Sequence, residues 1–469
     1  MRAFRLFYMA LLLWLSGQAQ HAYAWRMESG VFTTNDTSVS TTFTSVTFQE
    51  TFDVVPVVVV LASDQGAEPA MLRIKNVTVN GFLVAAFEPT NSDGDNPGMT
   101  AHYMAIEPGQ HVMADGTKLA AGTHPTSTMF GKFVTSGWDT VSFGSTLDAA
   151  ASVVATIQTM NSSLAAAPGT PLVPFMSAAT LNPSASSIQL TLDRAETSTG
   201  TVVSEDIGWI AFPSGEGGSF LDTSDVTIGW DARFTTDNIV GLDNGCRTYT
   251  FSGTGWANAR VLASKNTRDG VDGGWLRRCS LSGTTIGLVI DEDTTNDPER
   301  RHTTERAALV AFSDSFHVNF KGKILADKTL ALSSGSYALP GNTVTYTISA
   351  QSTGILPIDT GAVIIVDNLP SELAFRVVDI DAPGGGPIKF DNGSPASGLT
   401  YTYVALGDTG DDLEFSNNGG ASFGYTPVDD GTGADPDVTH IRINPKGAFS
   451  ARSAVGIPDF SITYDANIE

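Results

Sequence analysis

The chain has 469 residues, with 50 acidic against 26 basic side chains, a net charge of −24, and only 16% charged residues. That balance excludes nucleic acid and anionic membrane surfaces as partners, because neutralising phosphates requires the opposite sign. Gly, Thr, Ser and Asp crowd the segments between short apolar runs, the composition of an exported all-β protein with a solvated acidic surface.

In chain order, residues 1–24 read as a signal peptide. Arg2 and Arg5 supply the positive region, Leu6 to Leu15 the apolar core, and Ala22-Tyr23-Ala24 a small-x-small cleavage site, so the mature protein is expected to begin at Trp25. The apolar run is about half the roughly 20 residues needed to span a bilayer, and no later run is long enough, so no transmembrane segment is expected in the mature chain. The expected location is secreted or cell-surface.

From Val46 onward, short β-branched and apolar runs separated by turn residues recur in three sets. The first comprises VTFQETFDVVPVVVVLASD, PAMLRIKNVTVNGFLVAAFEP and AHYMAIEPG, ending at Gly109. Ala105, Ala211 and Ala311 each sit in the last run of a set, 106 and 100 residues apart, which predicts three tandem β units. The boundaries are drawn at 25–125, 126–217 and 218–319. Asn80-Gly81 between two strand-like runs predicts a hairpin, and Val57 to Leu61, apolar on both faces, predicts a central strand covered on both sides. Short connections predict that the three units pack about a common axis.

The pattern VTF-x3-F-x3-PVVVVL, LRI, V-x-GF-x-V and Y-M-A resembles the H-type lectins, small antiparallel β-sandwiches whose animal members bind N-acetylgalactosamine and assemble as trimers. RI-x-NVT-x2-GF followed by AIEPG is similar to the repeat of bacterial MshQ-like surface proteins associated with pilus gene clusters. Trp209 and Ala211 repeat the W-x-A of the last lectin strand. Where the animal lectins place a sugar-contacting Trp-His pair, this chain has Glu88-Pro89-Thr90, and only Arg73 matches a sugar-contacting position.

A hexose offers an apolar face and a rim of hydroxyls, so an aromatic ring beside an arginine fork is the chemistry that would hold it. Arg73 and Tyr103 in the first unit and Trp275 and Arg277 in the third are the candidate ligand-binding residues. Histidine spacings fit no metal motif, and no nucleophile elbow, phosphate loop or dinucleotide fingerprint is present, so the chain is read as not an enzyme. No cofactor is expected. Calcium is the one ion that acid-rich turns would suit, at Asn91, Asp93 and Asp95, at Asp291, Asp293 and Asp297, or at Asp408, Asp411, Asp412 and Glu414. Cys246 and Cys279, the only pair in an exported chain, are expected to form a disulfide between neighbouring antiparallel strands.

After residue 319 the pattern changes. GNTVTYTI, then V-D-x-LP at Val366 to Pro370, alternates with period two and resembles a conserved repeat domain of bacterial surface proteins. Residues 320–469 are therefore expected to form an immunoglobulin-like sandwich with a spacer role. The expected whole is all-β: three lectin-like sandwiches and one immunoglobulin-like sandwich. Two functions are weighed, the first as the leading expectation and the second as its alternative. One is a surface protein of pilus or adhesion type that binds a glycan or another cell-surface component. The other is a structural filament or sheath protein whose partners are pilus or other surface proteins, itself included, and which binds no glycan.

Overall fold

In the computed structural model of the chain, the described residues are 12–13, 24–132, 137–196, 199–253, 256–296, 298–332 and 337–469. The expected leader falls almost wholly outside them, as does Asp297. The described residues are nearly all β, with two single-turn 3-10 segments and no long helix. None of their helices is long and apolar enough to cross a membrane. The chain divides into two compact units, Trp25–Asn319 and, grouped with Met1–Ala24, Phe320–Glu469.

The first unit contains three pairs of sheets with one topology. In the first pair, Phe316–Phe320, Trp25–Thr33, Thr100–Ile106 and Val57–Ala62 lie side by side in that order, opposite Thr44–Thr47, Gly81–Phe87 and Met71–Thr78. In the second, Gly109–Val112, Lys118–Thr126, Glu205–Pro213 and Ala151–Ile157 face a sheet centred on Ser187–Arg194 and Met176–Leu181. In the third, Glu216–Leu221, Thr227–Phe234, Ala307–Phe312 and Arg260–Lys265 face Arg247–Thr250, Thr285–Asp291 and Trp275–Ser282. Buried side chains from both sheets fill each of the first two sandwiches, Phe48, Phe82 and Tyr103 in one, Phe143, Met176 and Trp209 in the other.

The three landmark alanines occupy one structural position. Ala105 lies between Glu28 and Val58, Ala211 between Ala120 and Val153, and Ala311 between Asp231 and Val261. The hairpin at Asn80-Gly81 joins Met71–Thr78 to Gly81–Phe87, with Thr78 opposite Gly81. Gly81 has φ +155°, and a Cβ there would lie 2.1 Å from the Val46 carbonyl oxygen, so only glycine permits the neighbouring strand to approach.

Strand pairing relocates the seams between units. Each set hands its final strand to the next: Gly109–Val112 pairs with Lys118–Thr126, whose other neighbour is Glu205–Pro213 of the second sandwich. Glu216–Leu221 likewise pairs with Thr227–Phe234 of the third. Phe316–Phe320 returns to pair with Trp25–Thr33 of the first, closing a cyclic, pseudo-threefold body. Lys118–Thr126, drawn from sequence into the first unit, is thus a strand of the second.

Val57–Ala62 is also corrected, being the last strand of its sheet and not a central one. It is apolar on both faces because its outer side meets Ala151–Ile157 and Arg260–Lys265, the equivalent strands of the other sandwiches. Side chains satisfy these three bare edges in rotation. Gln158 Oε1 and Thr156 Oγ1 accept from the Val58 and Val60 amides at 2.9 and 3.2 Å, Ser264 Oγ from the Ala155 amide at 2.7 Å, and His102 Nδ1 from the Val261 amide at 3.0 Å. A buried edge amide without such a partner would cost about 1–3 kcal/mol.

Phe320–Glu469 holds two sheets around one core. Ile324–Leu332, Thr343–Ser352 and Asp459–Ile468 run antiparallel, and Ile365–Asn368, His440–Ile443 and Leu413–Ser416 form the facing sheet. The two motifs of this region meet at Asp367, which is buried. It accepts from Lys328 Nζ at 2.7 Å and Tyr464 Oη at 2.5 Å, while Lys328 lies 4.1 Å over the ring of Tyr346. The Tyr of TVTYTI and the Asp of V-D-x-LP are therefore two parts of one cross-sheet tie.

Candidate functional site

All four residues chosen for sugar chemistry are interior. Tyr103 is 4% exposed, and its hydroxyl donates to Glu28 Oε1 at 2.6 Å within the first sandwich. Burial, reinforced by that carboxylate, pushes the phenol well above its ordinary range. Its ring sits over Gly30 on the adjacent strand, where a Cβ would come within 2.7 Å of it.

Arg73, Trp275 and Arg277 lie at the junctions between sandwiches. Trp275 donates its indole N–H to the Ala70 carbonyl at 2.7 Å and meets Phe175 edge-on at 4.7 Å, so one side chain touches all three repeats. Arg277 is fully buried. It donates to the Ser63 carbonyl at 3.1 and 3.2 Å, to the Gln65 carbonyl at 2.6 Å and to Asp291 Oδ2 at 2.7 Å. Arg300 holds the other oxygen of Asp291 at 2.7 Å. Arg73 reaches into the second sandwich, donating to the Thr159 carbonyl at 2.7 Å with Glu205 at 3.8 Å. Their chemistry suggested a sugar site, yet the strand faces that carry them point at the neighbouring repeat and not at solvent.

Among the acidic candidates the structure separates one position from the rest. Asp93 converges with Glu68 and Glu88, their carboxylate oxygens lying within 4.8 Å of one another. Glu88 is buried and accepts from the Gly94 amide at 2.8 Å. Burial first, then Glu68 and Asp93, raise its carboxyl to about 8. The group offers oxygen donors alone, the set a hard cation such as calcium takes, once Glu88 gives up its proton. Asp95 is not part of it. Asp411 and Asp412 are committed elsewhere: Asp411 accepts from the Val404 and Leu413 amides, and Asp412 accepts from the Thr402 amide and pairs with Lys446 at 3.3 Å. Carboxylates so occupied serve as turn and strand caps.

Two further charged groupings were not legible in the sequence. His302 is buried between Glu292 and Glu305, its Nε2 lying 3.0 Å from Glu305. Although burial opposes it, the two carboxylates raise the imidazole, while the charges around Glu305 hold that carboxyl down at about 2. At the second junction Lys265 and Arg268 of the third repeat both bind Asp193 of the second, Arg268 Nε at 2.9 Å. Lys265 and Arg268 meet Asp193 across more than 70 positions, and His302 meets Glu305 three residues on in a segment without regular periodicity, so spacing carries no signal of either grouping.

Cys246 and Cys279 are bonded, with Cα atoms 6.0 Å apart. The geometry differs from the adjacent-strand expectation. Arg247–Thr250 and Trp275–Ser282 flank Thr285–Asp291, so the bridge crosses over that middle strand. Gly287 lies beneath it, where a Cβ would be 2.3 Å from the Cys246 sulfur and 3.0 Å from the Cys279 sulfur. Comparison with family models, with curated proteins and with solved structures yields no match to this chain.

Proposed function

We propose that the chain is an exported, non-enzymatic structural module of a bacterial surface assembly of pilus or adhesion type, which holds its outward loops at fixed spacing. The observation that carries this reading is that Arg73, Trp275 and Arg277, which have the chemistry to hold a sugar, are each at most 5% exposed and spent on joining repeats. A chain whose arginines and tryptophan bind its own backbone is built for rigidity. Its partners on this reading are other surface proteins or further copies of itself.

The test uses the purified mature protein in monomeric and multivalent form. Sedimentation that shows self-association or capture by surface-filament proteins, with an empty glycan array, supports the structural reading. Retention of a defined glycan by the multivalent form, abolished by substitutions in the outward loops, would replace it with the adhesive one.

A further inference from the structure

A cavity of about 80 Å³ lies where Val57–Ala62, Ala151–Ile157 and Arg260–Lys265 meet at the centre of the first unit. A cavity needs about 10–15 Å³ to hold one water by this measure, so the space suits a small ion with a few waters and not a sugar ring. Arg73, Lys265 and Arg277 line it together with the hydroxyls of Thr156 and Ser264, and none of the described lining residues is acidic.

The three cations are not equally satisfied. Arg277 has the partners described above, and Lys265 binds Asp193. Arg73 is 2% exposed, yet its Nε–H has no partner and its Nη1 reaches the Met176 carbonyl only at 3.5 Å. Glu205, its nearest carboxylate, is held by Thr159 Oγ1 and by the Asn161 and Ser162 amides. Burial lowers the Arg73 guanidinium to about 10, the direction expected when compensation is incomplete. The second repeat breaks the pattern at a residue that lines the cavity. Counted from Met71, Met176 and Trp275, the first residues of equivalent strands, Ala178 stands where the other repeats carry Arg73 and Arg277.

We propose that this central cavity is an anion site, in which a chloride-sized monovalent anion is held by Arg73 and Lys265 and locks the three sandwiches together. The hydroxyl of Thr156, which accepts from the Val60 amide, keeps its own proton to donate to the ion. A buried guanidinium with an unmet donor gains an acceptor at the point where the repeats converge.

The mature protein is melted at constant ionic strength while gluconate is exchanged for chloride or bromide. The expected result is a saturable rise of about 2–3 °C at tenfold saturation. Crystals soaked in bromide should show an anomalous peak between Arg73 and Lys265. Ala178→Asp, which keeps the Cβ and supplies a tethered carboxylate, should melt in gluconate as the unaltered protein does in chloride and lose the anion response. A melting temperature independent of anion identity, a full response retained in Ala178→Asp, or an empty difference map at the centre would each overturn the site. Should Ala178→Asp fail to fold, the bromide map of the unaltered protein decides alone.

Discussion

At the scale of single residues, the structure turns a question of ligand binding into one of stability. Arg277→Ala leaves buried Asp291 with Arg300 as its one remaining cation and strips donors from two carbonyls of the first repeat, so denaturant unfolding should show a loss of about 3–5 kcal/mol. Arg277→Lys should restore little, because one ammonium cannot reproduce the fork. An alanine variant within 0.5 kcal/mol of the original would return Arg277 to the surface role its chemistry suggested. Glu88 gives a second prediction. Its carboxyl titrates near 8 in the folded chain against about 4.5 unfolded, so the protonated form's contribution is complete below pH 4.5 and is lost as pH rises through 8. Glu88→Gln, uncharged throughout, should flatten the fall in melting temperature between pH 5 and 8.5 relative to the unaltered protein. Parallel curves for the two would show that Glu88 is ionised throughout. Sequence alone located Asp93 but not its companions, because Glu68 and Glu88 join it only through the fold.

At the scale of elements, the disulfide and the cross-sheet tie make separate claims. The bridge closes a loop across a sequence separation of 33, which in the chain-entropy model stabilises by about 3–4 kcal/mol. A Cys246→Ser/Cys279→Ser double variant should lose about that much in equilibrium unfolding, and unchanged stability would show that the third repeat is held by its ion pairs instead. Reading the exported context was enough to expect the pairing. The path of the bridge over Gly287 was not legible, because strand order within a sheet leaves no periodic trace. In the second unit, Asp367→Ala leaves the Lys328 ammonium largely buried without a carboxylate and removes the Tyr464 acceptor. The expected cost is about 3 kcal/mol, measured by chemical unfolding of the full mature chain and followed by the near-ultraviolet signal of its tyrosines. Alternation showed the strands of this unit from the start, since each has one face in the core and one in water.

At the scale of the whole molecule, cyclic strand exchange makes the three repeats interdependent. Each sandwich borrows a strand from its predecessor, and each bare edge is satisfied by side chains of a neighbour. Trp25–Asn319 should therefore melt in one cooperative step, with calorimetric and van't Hoff enthalpies equal for that transition. Three resolved transitions within this unit would mean that the sandwiches are stable alone and the junctions weak. Rigid spacing of outward loops, the feature on which the structural reading depends, is a consequence of that cooperativity.

The sequence by itself determined the elements: an all-β chain, a threefold recurrence with its last strands in register at Ala105, Ala211 and Ala311, a change of module near residue 319, and a cysteine pair suited to bonding. These follow from local rules, since side-chain alternation, turn residues and spacing are properties of neighbouring positions. Only the tertiary structure decided which strands share a sheet, that the final strand of each set belongs to the next, and that Arg73, Trp275 and Arg277 face inward. A two-residue period says that a side chain lies on one face of a strand, but which face is covered depends on partners about 100–200 residues away. Sugar-like chemistry and junction chemistry use the same side chains, and burial alone separates them.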